Sequence, residues 1–257
     1  MIVLETLCVA FGMFSRLPVP HISWNERNMR YMLCAFPLVG AVIGLLIWGF
    51  IWLCGTLSLG TSLFAAGMTL LPLAVTGGIH MDGFCDTCDA LACHGTPERR
   101  RDILKDPHAG AFAVVGASTY LLLYFALASE LPVSTGTALA LGLFYVLERA
   151  LSGLAVLRFP SAGKPGLLTT FRNTAERRYA AAMLFVLFAL TAAGLIFWVW
   201  PAGAAAVFAA LLCLLWLRVI SRRDFGGMSG DLSGWFLQVC ELCMLAAYIL
   251  VTKAVAL

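Results

Sequence analysis

The chain has 257 residues, of which 61% are hydrophobic and only 12% are charged. Soluble domains carry about 25% charged residues, so this composition excludes a water-soluble globular protein and predicts an integral membrane protein. The net charge is only +3. Because the basic residues fall in short loops and not in one patch, no nucleic-acid partner is expected.

The first predicted element is the apolar segment 2–14, which Pro18 and Pro20 follow. It is too short to cross a bilayer, so we expect a re-entrant or interfacial segment. Later apolar runs approach the length of about 20 residues that a spanning helix needs. They predict about seven transmembrane helices, with six to eight as the range, at residues 33–54, 61–79, 110–129, 135–157, 180–200, 203–220 and 233–252. We therefore predict an all-α, polytopic helical membrane protein with one integral membrane domain, residues 1–257.

Lysine and arginine are distributed unevenly between the predicted loops. If the N-terminus is inside, 15 of the 17 Lys and Arg residues lie in the inside segments 15–32, 80–109, 158–179 and 218–232. Among the rest, Lys253 is outside and Arg149 lies within a span. The positive-inside rule then predicts a multi-pass protein of the cytoplasmic (inner) membrane, with its long polar loops facing the cytoplasm. Active-site residues are expected in those loops.

The densest polar cluster begins at Gly77 and Gly78 and holds Asp82, Asp86 and Asp89. These acids are spaced i, i+4 and i+7, which places them within an arc of about 60° on one helix face. Like charges so close together are destabilising unless a divalent cation lies among them. Carboxylate oxygens suit Mg²⁺, so a magnesium site is predicted at the three aspartates. The two glycines allow close approach of a phosphate.

Two other interpretations of this cluster remain open. The acids are also compatible with a solvated helix face at the membrane edge. A zinc site is the other alternative, built from Cys85, Cys88, Cys93 and His94. Cys85 and Cys88 are rotated by about 60° or more from the centre of the acidic face, which favours contacts with neighbouring helices instead.

The next loop is basic and contains Lys105 and Asp106. Either it is a simple positive-inside loop, or its lysine and arginines bind phosphate, with Asp106 completing the metal site. The turn at 224–231 contains Gly227 and Asp231. Either it is a plain inter-helix turn, or it forms an anion site at a helix N-terminus.

Three charged residues, Glu148, Arg149 and Glu241, lie within predicted spans. Charged groups at such depth usually face a polar interior and have a partner. They therefore either form a structural ion pair between spans or contact a substrate.

Together these residues resemble the cobalamin synthase family, adenosylcobinamide-GDP ribazoletransferase, also called cobalamin-5'-phosphate synthase. The resemblance covers most of the chain in the family's order. It rests on the runs Phe14–Pro20 and Phe36–Gly40, on Gly77–Gly83 with Asp86–Asp89, on Lys105–Asp106, and on Gly226–Asp231 with Glu241. The sequence departs from the family pattern at Ala90, where glycine is common, and at His108, where arginine is expected.

The resemblance implies an enzyme that joins adenosylcobinamide-GDP to α-ribazole or its 5'-phosphate, with release of GMP. It implies Mg²⁺ as cofactor and the completion of the corrinoid nucleotide loop. The expected partners are the corrinoid nucleotide and α-ribazole substrates, the lipid bilayer and, as an open alternative, a second copy in a homo-oligomer. The expected catalytic residues are His80 and Asp82, and the metal ligands are Asp82, Asp86 and Asp89. The expected substrate-binding residues are Arg16, Gly77, Gly78, Lys105, Asp106, Arg149, Gly227, Asp231 and Glu241.

Two other functions remain as alternatives. CDP-alcohol phosphotransferases also use an Asp-rich helical motif, but their pattern needs Ala-Arg soon after Asp-Gly and a later pair of aspartates with three residues between them. Here two residues separate Asp86 and Asp89. A cation or corrinoid transporter is the non-enzyme alternative, and the position of the acids near the ends of spans argues against it.

Overall fold

The computed structural model describes residues 2–162 and 167–255, so part of the predicted inside segment 158–179 lies outside the described residues. The described residues form helices and no β-strand, with one isolated bridge between Ser161 and Met228. In chain order the helices are α1 (Ile2–Phe14), α2 (Glu26–Met29), α3 (Met32–Thr56), α4 (Thr61–Thr76), α5 (Ile79–Ala92), α6 (Pro97–Ile103), α7 (Ala111–Ser129), α8 (Thr135–Arg158), α9 (Leu167–Thr174), α10 (Arg177–Trp198), α11 (Ala202–Arg223) and α12 (Gly230–Val255).

Six of these helices, α3, α7, α8, α10, α11 and α12, are long and apolar enough to cross a membrane. A seventh crossing is the pair α4 and α5, if the two together count as one span. The expected all-α, polytopic membrane fold is therefore confirmed. Helix α1 is 13 residues long, shorter than a spanning helix, in agreement with the prediction for the N-terminal segment.

The predicted span 61–79 is wrong at its end, because α4 stops at Thr76 and α5 leaves it at an angle of 96°. The bend occurs at Gly77 and Gly78, whose φ angles are 64° and 78°. Glycine adopts this left-handed conformation without the steric cost of a Cβ atom. The chain therefore turns sharply, and α5 packs against α7 and α12.

Glycines bring pairs of helices into backbone contact. A Cβ atom added to Gly83 on α5 would lie only 2.8 Å from the Cα of Asp231 on α12. Likewise, a Cβ on Gly44 of α3 would lie 2.6 Å from the Cα of Gly142 on α8. Small residues allow this close approach in membrane helices. The first contact matters most here, because it places the acids of α5 beside the start of α12.

Candidate active site

A cavity of about 440 Å³ lies at one end of the bundle, where α5, α6 and the start of α12 come together. Small-molecule sites commonly have volumes of roughly 300–1,000 Å³. Five of the predicted site residues line this cavity: His80, Asp82, Lys105, Gly227 and Asp231. They come from separate parts of the chain, so the tertiary fold brings these predicted residues together.

The acidic part of the cavity is formed by Asp82 of α5 and Asp231 of α12. The two carboxylates are close enough to interact electrostatically, and Asp86 interacts with both. Asp231 was expected only as a substrate contact. The structure instead groups it with the acids of α5.

Asp89, the third predicted metal ligand, has a different contact. Its carboxylate accepts hydrogen bonds from the backbone N–H groups of Gly110, at 2.6 Å, and Ala113, at 2.9 Å. It therefore satisfies free donors at the start of α7, where the helix dipole also favours a negative charge.

Within residues 2–162 and 167–255, no group of three or more His, Cys, Asp or Glu side chains is arranged to hold a metal ion. This also applies to the zinc alternative, whose cysteines are all free thiols. Mg²⁺ typically keeps several water ligands and binds one or two carboxylates together with substrate phosphates. Asp82 and Asp231, with Asp86 nearby, fit that kind of site, whereas the carboxylate of Asp89 is already engaged.

His80 is a buried polar residue of the cavity, with 8% of its surface exposed. Its ring lies 6.4 Å from that of Phe14 and 5.8 Å from that of Phe36. Its Nε2 atom has no hydrogen-bond partner among the described residues. Buried polar atoms are nearly always paired, so this nitrogen lacks the partner that a buried polar atom normally has.

Basic side chains of α6 and its C-terminal end form another part of the cavity. Lys105 lines it, and its Nζ donates to Asp102 at 2.9 Å. Arg101 lines it as well and donates from Nη1 to the carbonyl oxygen of Phe225 at 2.7 Å. Arg100, by contrast, forms an ion pair with Asp224. The basic loop therefore presents Arg101 and Lys105 to the cavity and uses Arg100 to attach α6 to the turn before α12.

That turn is fixed by backbone hydrogen bonds. The N–H of Gly227 donates to the carbonyl oxygen of Ser221 at 2.6 Å, and that of Met228 donates to the carbonyl oxygen of Pro160 at 2.7 Å. The hydroxyl of Ser229 accepts from the N–H of Leu232 at 3.2 Å and so caps α12. Gly227 and Asp231 are thereby held at the cavity.

Other predicted site residues lie beside the cavity without lining it. Gly77 and Gly78 form the bend between α4 and α5, and the side chain of Arg16 covers Gly77. Asp106 is exposed and accepts hydrogen bonds from the backbone N–H of His108, at 3.0 Å, and from its ring, at 2.8 Å. These bonds hold the pKa of Asp106 below its usual range. The structure thus gives these residues roles in shaping loops.

Arg149 and Glu241 belong to a buried polar network in the bundle. Arg149 pairs with its neighbour Glu148 at 2.5 Å. The hydroxyl of Tyr145 donates to Glu241 at 3.0 Å and also contacts the hydroxyl of Tyr124 at 2.9 Å. The ion pair joins neighbours on one helix, not two spans, and neither predicted substrate contact lines the cavity.

Sequence reasoning missed the hydroxyl pair of Ser152 and Ser233. Their Oγ atoms are 2.7 Å apart, and both residues line the cavity. One lies on α8 and the other on α12, inside apolar runs. Nothing in the sequence pairs them, because only helix packing brings the two spans together.

A family model described as Cobalamin-5-phosphate synthase matches residues 6–249. A relative from Lachnoclostridium phytofermentans, named adenosylcobinamide-GDP ribazoletransferase, is 41% identical over 239 residues, which cover 93% of this chain and 91% of the relative. A relative of the same name from Desulfitobacterium hafniense is 35% identical over 254 residues, 94% of this chain and 95% of the relative. No solved structure matches. With the family model covering almost the whole chain, this protein belongs to the cobalamin-5-phosphate synthase family of enzymes.

Proposed function

We propose that the protein joins adenosylcobinamide-GDP to α-ribazole, or to its 5'-phosphate, and releases GMP. This is the step that completes the nucleotide loop in cobalamin biosynthesis. The observation that carries the proposal is that His80, Asp82, Lys105 and Asp231 line a single cavity. Family membership and the name that the two relatives share support the same reaction.

In this reaction a ribazole hydroxyl oxygen attacks the phosphorus next to the cobinamide. A new P–O bond forms, the pyrophosphate bond to GMP breaks, and the hydroxyl loses its proton. The residues needed are therefore groups that neutralise phosphoryl oxygens and a group that accepts a proton. Lys105 and Arg101 supply positive charge for the diphosphate, and the unpartnered Nε2 of His80 supplies the acceptor.

Asp82 and Asp231, with Asp86 beside them, are the residues that would hold Mg²⁺. When bound, the ion neutralises charge on the phosphoryl oxygens. The two carboxylates line the same cavity because they belong to helices that touch at Gly83. Asp89 contributes indirectly by fixing α7 against α5.

The proposed location is the cytoplasmic membrane, with the cavity facing the cytoplasm. Arg101, Lys105 and Phe225 line the cavity and belong to the segments predicted to be inside, which hold 15 of the 17 Lys and Arg residues of the sequence. The positive-inside rule assigns such segments to the cytoplasm.

The test is a reaction with purified protein in detergent, adenosylcobinamide-GDP, α-ribazole and Mg²⁺. We expect GMP and the coupled corrinoid to appear in equal amounts, and both to stop when EDTA removes the metal. Release of GMP without α-ribazole would instead indicate a hydrolase. Turnover of a CDP-alcohol in place of the corrinoid would support the first alternative, and corrinoid uptake without product after reconstitution into lipid vesicles would support the second.

A further inference from the structure

One part of the cavity is lined by three phenylalanine rings, which we call the aromatic wall: Phe14 of α1, Phe36 of α3 and Phe171 of α9. The ring centroid of Phe14 lies 4.4 Å from that of Phe36 and 6.4 Å from that of Phe171. Three helices thus place rings at the cavity, with the ring of Phe14 inclined by 43° to that of Phe36 and by 68° to that of Phe171. The reaction derived above uses none of them.

The aromatic wall is held in place independently of the acids. The hydroxyl of Ser15 donates to the carbonyl oxygen of Phe11 at 2.7 Å, and the N–H of Arg16 donates to that of Val75 at 2.8 Å. These bonds fix the end of α1, where Phe14 lies. Phe171 belongs to a small hydrophobic core together with Val9, Ala10, Met29, Met32 and Ala35, whereas Phe36 belongs to the main core of the bundle.

His80 connects the aromatic wall to the reacting groups. Its ring contacts those of Phe14 and Phe36, and Asp82 follows two residues later on the same helix. A flat ring placed against the wall therefore has its substituents next to His80 and Asp82.

We propose that the aromatic wall is the subsite for the base of α-ribazole, which stacks on these rings. This inference rests on the proposed function and assigns one of its two substrates to a place in the cavity. A benzimidazole base is largely hydrocarbon, with flat faces that stack on aromatic side chains. Its sugar then extends toward His80 and Asp82, where the attacking hydroxyl is needed.

The apolar chemistry of the wall argues against its binding either ring system of adenosylcobinamide-GDP, the guanine or the corrin ring. Guanine also has a flat face that stacks on aromatic rings, but the three phenylalanine side chains supply no hydrogen-bond partner for the donors and acceptors around its edge, so the wall favours a base whose edge is apolar. The corrin ring carries amide groups around its rim and meets the same obstacle. The diphosphate of that substrate is instead drawn to Arg101 and Lys105 at another part of the cavity.

The first experiment measures binding of α-ribazole alone to the detergent-purified full chain, by calorimetry, for the wild type and Phe14→Leu. We expect the variant to bind α-ribazole roughly tenfold more weakly, the effect of losing one base–aromatic contact. Its affinity for adenosylcobinamide-GDP should change by less than about twofold. Phe185→Leu is the matched control, because Phe185 lies on α10 with 59% of its surface exposed and should leave both affinities unchanged.

A second variant keeps the test valid if Phe14→Leu fails to fold. Phe14→Trp preserves an aromatic surface and adds a reporter whose fluorescence should change with α-ribazole but not with GMP. Unchanged α-ribazole affinity in Phe14→Leu, or a fluorescence change with GMP alone, would overturn the subsite. A wild-type protein that neither binds α-ribazole nor forms product would overturn the proposed function itself. If the wild type turns over normally and Phe14→Leu binds α-ribazole with unchanged affinity, only the subsite is overturned.

Discussion

The ion pair between Arg100 and Asp224 is expected to control how the basic side of the cavity is positioned. The guanidinium of Arg100 donates to the carboxylate of Asp224, and their side chains are only 16% and 8% exposed. Helix α6 contributes no fully buried residue of its own. Its polar contacts with the turn before α12 therefore hold Arg101 and Lys105 at the cavity.

The perturbation is Asp224→Asn, which keeps the shape of the side chain and removes its charge. Breaking a fully buried ion pair costs about 3–5 kcal/mol. Arg100 is partly exposed and regains water when α6 separates from the turn, so we expect a smaller cost of about 2 kcal/mol. At 1.36 kcal/mol per factor of ten, this corresponds to roughly 30-fold. The second contact of Asp224, to the exposed Arg223 at 3.1 Å, adds little.

The assay is steady-state kinetics with adenosylcobinamide-GDP varied at saturating α-ribazole. Loss of the ion pair weakens the attachment of α6, which holds the diphosphate-binding side chains Arg101 and Lys105 at the cavity. KM should therefore rise roughly 30-fold, and kcat should fall less. The matched control is Glu176→Gln, which breaks the exposed ion pair with Arg30 and should change KM by less than about twofold.

The double variant Arg100→Gln with Asp224→Asn completes a thermodynamic cycle. If the pair acts as described, the second substitution adds little to the first, since the contact is already lost. A KM within about twofold of wild type for Asp224→Asn, or fully additive effects in the double variant, would refute this account of α6.

Four other outcomes are expected. Asp82→Asn and Asp231→Asn should each lower kcat/KM steeply while membrane insertion stays normal, with partial recovery at high Mg²⁺; wild-type rates at low Mg²⁺ would contradict the metal role. Lys105→Ala should raise KM for the diphosphate substrate by roughly 10- to 150-fold, without rescue by excess Mg²⁺ in the same titration. Gly83→Ala should reduce activity and lower the melting temperature, because the new Cβ meets the Cα of Asp231 at 2.8 Å; an unchanged thermal unfolding curve argues against that contact. A cysteine at Ser134 should react with an impermeant thiol reagent from outside only, and labelling from the cytoplasmic side alone contradicts the topology.

The helical membrane fold was predictable from the sequence because its signals are local. A spanning helix satisfies its own backbone hydrogen bonds and needs only an apolar run of sufficient length. The runs at residues 33–54 and 135–157 therefore became α3 and α8 with small changes at their ends. The family resemblance is likewise confirmed, because the family model matches residues 6–249.

The bend between α4 and α5 was not predicted, although its cause is visible in the sequence. Gly77 and Gly78 were interpreted as a place for phosphate approach, while the apolar pattern favoured a span through residue 79. A pair of glycines permits left-handed backbone but does not require it. Packing of α5 against α7 and α12 decided that the chain turns there.

Tertiary contacts decide which residues form the site. Asp82, Asp86 and Asp89 share a helix, so sequence spacing alone grouped them. In the structure, α5 touches α12 at Gly83 and brings Asp231 to the acids, while α7 begins beside Asp89 and takes its carboxylate as a cap. Helix periodicity fixes which residues of one helix share a face, but which helix lies opposite that face depends on packing between segments far apart in the chain.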